Sequence, residues 1–271
     1  MADFSPPRGS GLGFLEDAQV LDVDFICVAY NPGRSVRGDS AMVAAMIKRE
    51  TSKDVVFNLS PRDMNSLALE THLLGASVLG LENVVVVAGD RFSSRDQELV
   101  TSVYDYTSTS LIKSVNQMNC GLDFRGRELS RPTDLCVGAS VDLKKGFINE
   151  ARLVQRKIEA GAQFLVTQPV FDHVDIQSFQ EAYFGVAGTI LSVPVFWGLQ
   201  LLIQDGIVFS TVPKVLERQL QQGRDGIDIA TELWVNLQNE GVGGIYLMPP
   251  ILRGGKRDYM AAHRFLSSVR H

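Results

Sequence analysis

Leu153-Val154-Gln155-Arg156-Lys157-Ile158-Glu159-Ala160-Gly161-Ala162-Gln163-Phe164-Leu165-Val166-Thr167-Gln168 decides the architecture of this chain. Its first part sets Leu153, Val154, Ile158 and Ala162 at helical spacing; its second, residues 163–168, is a short, mostly apolar run of strand length. A strand buried on both faces reads as such a run, and a parallel neighbour needs a helical crossover. Working outward, comparable runs occur at residues 24–30, 54–60, 83–90, 135–140, 194–200 and 243–248, and a stub at 3–5 makes the eighth. Segments of helical spacing separate them, so one domain over residues 1–271 is expected, an α/β chain closed as a (β/α)8 barrel with a short first strand. In such a barrel the site lies at the carboxyl ends of the strands.

The helical segments carry their own punctuation. A short helix is predicted over 12–21, and Asp39 or Ser40 caps a helix that ends near Glu50. Asp63 is expected to cap the next, with Leu67, Leu69, Leu73, Leu74 and Leu79 offered to the core, and a last helix covers 257–269. Two stretches exceed a minimal unit. Residues 91–108 follow the fourth strand at the functional face, where long loops carry chemistry. Residues 119–134 precede the fifth strand, at the other face.

Composition narrows the classes. Hydrophobic residues at 45% supply a sizeable core, and a net charge of −5 without a dense basic stripe gives no footprint for nucleic acid. No apolar run approaches the roughly 20 residues that span a bilayer, and residues 1–8 lack a signal-peptide apolar region. Cys27, Cys120 and Cys136 are widely spaced and form no zinc pattern. A cytoplasmic, reduced protein without a structural metal is expected.

The strand ends offer Asp3, Tyr30, Asn31, Asn58, Ser60, Gly89, Asp90, Ser140, Asp142, Thr167, Gln168, Gly198, Gln200, Tyr246 and Met248. None is His; His72, His173, His263 and His271 fall elsewhere, so neither a nucleophile–His pair nor a metal hydrolase is suggested. A Schiff-base lyase would want a strand-end Lys, and Lys144 and Lys145 sit in a polar loop. Carboxylates, amides and aromatics suit a planar polar ligand. The glycines of residues 9–13 and 254–255 do not make a nucleotide loop.

An ordered set of motifs occupies these ends: residues 3–9 (DFSPPRG), 28–31 (VAYN), 62–65 (RDMN), 73–76 (LLGA), 88–90 (AGD), 157–162 (KIEAGA) and 167–172 (TQPVFD). Together they resemble the methylenetetrahydrofolate reductase family over nearly the whole chain. The resemblance implies an FAD-containing enzyme of one-carbon metabolism and methionine biosynthesis. NADH or NADPH would reduce the flavin, which passes hydride to 5,10-methylenetetrahydrofolate and gives 5-methyltetrahydrofolate. Ring opening to an iminium cation needs a proton donor and a nearby anion. By position, the resemblance makes Asp3 the general acid, in place of a Glu with about 1.5 Å more reach. It makes Asp90 the cation-stabilising pterin ligand, and Gln168, with Gln200, substrate-binding. Tyr30, Asn58, Ala88, Gly89, Ser140, Glu150, Arg156 and Lys157 fall where the family holds its flavin. Asn58 stands for a usual His, Ala88 for an Arg, and Gln200-Leu201 for an Ile/Leu-Pro pair. The alternative is a non-catalytic folate-binding subunit serving a partner methyltransferase or redox protein. A homo-oligomer or a complex with such a partner is expected.

Overall fold

A computed structural model describes residues 1–269; His271 lies outside them. Eight parallel strands close in sequence order: β1 (Ala2–Phe4), β2 (Phe25–Val28), β3 (Asp54–Leu59), β4 (Asn83–Val86), β5 (Cys136–Val141), β6 (Phe164–Pro169), β7 (Val195–Gln200) and β8 (Ile245–Met248). The three-residue β1 starts one residue before the expected stub and closes the ring through Ala2, which pairs with Ile26 on one side and Leu247 on the other. It ends where Pro6-Pro7 removes two backbone donors. Each strand alternates. Val28, Phe57, Val84, Val86, Leu165 and Leu247 pack outward against the helices. Met1, Cys27, Val56, Val85, Phe164, Val166, Tyr246 and Met248 fill the barrel interior. Cys27 thus serves as a small interior hydrophobe, its Sγ–H donating to Asn58 Oδ1 at 3.3 Å.

The surrounding helices are α1 (Phe14–Gln19), α2 (Ser40–Thr51), α3 (Ser66–Val78), α4 (Ser94–Gln97), α5 (Ser108–Asn119), α6 (Phe147–Glu159), α7 (His173–Ala187), α8 (Lys214–Gln221), α9 (Gly226–Asn239) and α10 (Tyr259–Val269). Asp39 caps α2, accepting from the N–H groups of Ala41 and Met42. The α3 cap corrects the sequence reading: Asn65, not Asp63, accepts from Ala68 N at 2.9 Å. Asp63 is drawn away by Arg62, whose Nε and Nη2 donate to its two oxygens at 2.6 and 2.7 Å. Of the five leucines expected in the core from this segment, Leu69 and Leu73 are buried, while Leu67, Leu74 and Leu79 face outward. That helix is apolar nearly all round, so periodicity could not say which stripe turns inward. No described helix is long and apolar enough to cross a membrane.

One irregularity sits near the carboxyl ends of the strands. The β6–β7 register shifts between Val166 and Pro169. Gly198 on β7 permits it: a Cβ there would lie 2.6 Å from the Gln168 carbonyl oxygen.

Candidate functional site

The alternation that fills the barrel also selects what faces its mouth. In β1, β3, β5, β6 and β7 the parity of the interior residues carries on to Asp3, Asn58, Ser140, Gln168 and Gln200. Val86 is in register with Ala139, and Ala139 with Leu165. Asp90 lies four residues beyond Val86 and Gln168 three beyond Leu165, so both stand near the carboxyl ends of strands two apart in the ring.

Gln168 is half-buried, and its Oε1 is buried without a hydrogen-bond partner. Leaving a buried acceptor unmade costs about 1–3 kcal/mol. Gln168 borders a crevice of about 170 Å³ with Asp142, Lys144, Phe147 and Thr211. Lys144 Nζ donates to the Phe209 carbonyl at 2.7 Å, linking the loops after β5 and β7 on either side of β6. A donor-bearing ligand edge entering this crevice would satisfy the amide oxygen.

Asp90 is exposed, and among the described residues its carboxylate has no hydrogen bond or ion pair. Its main chain is fixed. Buried Arg62 donates to the Asp90 carbonyl from Nη1 at 2.8 Å, grips Asp63, and lies over Phe92 at 4.3 Å. The Asp63 hydrogen bond first of all raises the Arg62 pKa. Burial opposes ionisation of Asp63, but the guanidinium holds it below the usual carboxylate value. Tyr30 is pushed well above an ordinary phenol by burial and then by the Asp63 charge, so it stays a neutral hydroxyl. Gly89, with φ +77°, makes the turn, and a Cβ there would strike Ser60 Oγ at 2.3 Å. Ala88 and Gly89 border a second crevice of about 570 Å³ with Tyr104, Tyr106 and Lys145. Its aromatic wall is anchored from behind: Glu70 on α3 accepts from Tyr106 Oη at 3.0 Å, Ser114 Oγ at 2.7 Å and Phe124 N at 2.8 Å.

Asp3 is engaged at both oxygens. Tyr246 Oη donates to Oδ1 at 2.8 Å and Arg257 Nε to Oδ2 at 2.9 Å, with all three residues buried. Burial works against the Arg257 charge, yet Asp3 raises its pKa above the ordinary value. Burial, then Asp3, drives Tyr246 far upward. Asp3 is thus part of a buried ion pair that joins β1 to the loop after β8. Gln200, expected at the substrate, is also committed: its Nε2 donates to the Ile207 carbonyl and its Oε1 accepts from Phe209 N.

The flavin set does not assemble as the resemblance implied. Glu150 and Lys157 are 1% and 3% exposed. Lys157 Nζ donates to the Ser140 carbonyl and lies 4.0 Å from Glu150 Oε1, which accepts from Asp142 N. Burial lowers the Lys157 pKa to about 8. Arg156, by contrast, is exposed beside Thr107 and Lys113 in a groove on the outer flank. The Glu150–Lys157 pair is thus buried while Arg156 lies apart from it in the outer groove. Tyr30, Asn58, Ala88, Gly89 and Ser140 lie at or just beyond the carboxyl ends of β2, β3, β4 and β5.

Sequence reading takes Arg257 only as the start of the last helix and leaves Tyr104 and Tyr106 within the long loop at 91–108 without singling them out. Parity would have turned Tyr246 inward; nothing in the sequence marked Arg257, because its role depends on a loop folding back over the ring. Among the described residues no group of three His, Cys, Asp or Glu could hold a metal.

A search of solved structures finds the same fold. An uncharacterised protein from Clostridium thermocellum that binds two copies of 5-methyl-5,6,7,8-tetrahydrofolic acid superposes with a TM-score of 0.69 at 13% identity, covering 100% of this chain and 95% of that one. No curated protein matches the chain. The model of methylenetetrahydrofolate reductase matches residues 2–248, from β1 through the end of β8. A match over the entire ring of strands places this chain in the methylenetetrahydrofolate reductase family.

Proposed function

We propose that the barrel mouth binds a reduced folate and serves the family's one-carbon reduction, in which a reduced nicotinamide supplies the hydride that turns 5,10-methylenetetrahydrofolate into 5-methyltetrahydrofolate. The carrying observation is the unpartnered Gln168 Oε1 beside a crevice, two strands round the ring from an unengaged Asp90. Gln168 accepts from the donor edge of the pterin. Asp90 stands as the anion beside the iminium cation, which it stabilises more than the neutral ring. Tyr30 contributes a neutral hydroxyl and an apolar wall. The binding of a methylated folate by a protein of the same fold supports the ligand class.

A second reading is favoured by Asp3. The residue in the general-acid position is locked to Arg257, and the flavin contacts are sequestered or turned away. On that reading the chain holds a C1-folate for a partner that carries out the redox or methyl-transfer step. Calorimetric titration with 5-methyltetrahydrofolate tests the site; no binding refutes both readings. A visible spectrum and nicotinamide oxidation in the presence of 5,10-methylenetetrahydrofolate separate them. Turnover supports reduction, whereas binding to a colourless protein without turnover supports the folate carrier.

A further inference from the structure

The acidic chain gathers cations at the ends of β1, β2 and β8. Arg257 is neutralised by Asp3 and Arg253 by Asp205. Arg8 and Arg37 have no acidic partner within salt-bridge distance among the described residues. Arg8 Nη2 donates to the Gly254 carbonyl at 3.3 Å. Arg37 is held rigidly, its Nη1 donating to Ser5 Oγ and the Pro6 carbonyl and its Nε to Ser35 Oγ. Its Nη2 is left over. Both Nη2 atoms converge on one point: a Cβ on Gly255 would lie 3.7 Å from that of Arg37 and 3.8 Å from that of Arg8. Gly255, at φ +84°, leaves the space empty. Partial burial, then Arg8 and Arg257, lowers the Arg37 pKa. Like charges are thus held together without an acidic group in salt-bridge contact among the described residues, an arrangement that an anion relieves.

We infer that Arg8 and Arg37, meeting over Gly255, form a seat for an anionic group carried by the ligand of the mouth, and we assign it to the glutamyl carboxylates of a folate tail. The assignment rests on the folate reading above. β2 lies opposite β6 in the ring, and eight strands at barrel tilt enclose a mouth about 15 Å across. A pterin at Gln168 joined through a benzoyl amide to glutamate extends across that width, so its carboxylates arrive at the β1–β2 rim. Guanidinium forks suit carboxylates. The phosphates of a nicotinamide dinucleotide carry the same chemistry and are the other source.

Arg8→Glu is the informative variant, because exposed Arg8 makes a single backbone contact. Calorimetry on the full chain compares 5-methyltetrahydrofolate bearing one and three glutamyl residues, a tail-less tetrahydropterin, NADPH and inorganic pyrophosphate. The expected result is a loss of about tenfold or more for both folates, larger for the triglutamate, with no change for the tetrahydropterin. Arg37→Lys, which keeps the charge but not the fork, should lose less. Weakening confined to NADPH would overturn the folate assignment and give the seat to the dinucleotide. If the wild type binds no folate, pyrophosphate still reads the seat: binding by wild type lost in Arg8→Glu upholds it, and equal behaviour of the two proteins overturns it.

Discussion

Asp3→Asn separates a structural carboxylate from a catalytic one. Asp3 and Arg257 are 3% and 6% exposed, and each Asp3 oxygen accepts one hydrogen bond. Asparagine keeps an oxygen for Tyr246 but turns an NH2 toward Arg257 Nε, donor against donor, and strands a buried cation. Breaking one side of a buried ion pair costs about 3–5 kcal/mol. With about 2.1 cal/mol/K of unfolding entropy per residue, a chain of 271 residues loses about 5–9 °C in Tm. Differential scanning calorimetry measures it. Asp3→Leu combined with Arg257→Met removes both charges and should recover most of the loss, since apolar replacement of a buried pair is often neutral. A general acid facing solvent would give the opposite pattern, with Tm held within a degree and turnover abolished. An unchanged Tm for Asp3→Asn would refute the ion-pair reasoning.

Other outcomes follow from the same contacts. Gln168→Met removes an unmade buried acceptor, so Tm should hold or rise slightly while 5-methyltetrahydrofolate affinity in calorimetry falls about tenfold or more. Lys157 binds its proton with a pKa near 8 in the fold against 10.5 in the unfolded chain. Between those values the unfolded state carries more protons, so this group adds stability as pH rises through the window, by up to about 3 kcal/mol. Lys157→Met should flatten that part of the stability profile in urea titrations at pH 7.5 and 10, chosen to fall at about the two ends of the window. Arg62→Met leaves Asp63 half-buried without its cation and frees the Asp90 carbonyl. It should cost about 3 kcal/mol or more in denaturant unfolding and weaken folate binding by disordering the loop after β4.

The ring of strands was legible because burial on both faces writes itself as short apolar runs, and because a parallel strand cannot be reached without a crossover. The runs at 54–60 and 194–200 lie within a residue of β3 and β7. Strand reading also placed Asp90 just beyond β4 and Gln168 at the end of β6, since the carboxyl end of a strand is fixed once the strand is known. Helix caps were less secure. Asp39 caps α2, but Asp63 was claimed by a neighbouring guanidinium, and the choice between Asp63 and Asn65 lay in that competition.

What sequence could not reveal is how side chains were already occupied. Asp3, Gln200, Glu150 and Lys157 were expected at the site, yet each is engaged by another group of the fold. Arg257 is 254 residues from Asp3, and Ser140 reaches Lys157 across the packing of β5 on α6. The sequence by itself determined the barrel and which residues stand at the carboxyl ends of its strands, because those follow from local periodicity and chain order. Only tertiary structure decided which of those residues remain free to meet a ligand, because a polar group's availability depends on long-range partners that no local pattern records.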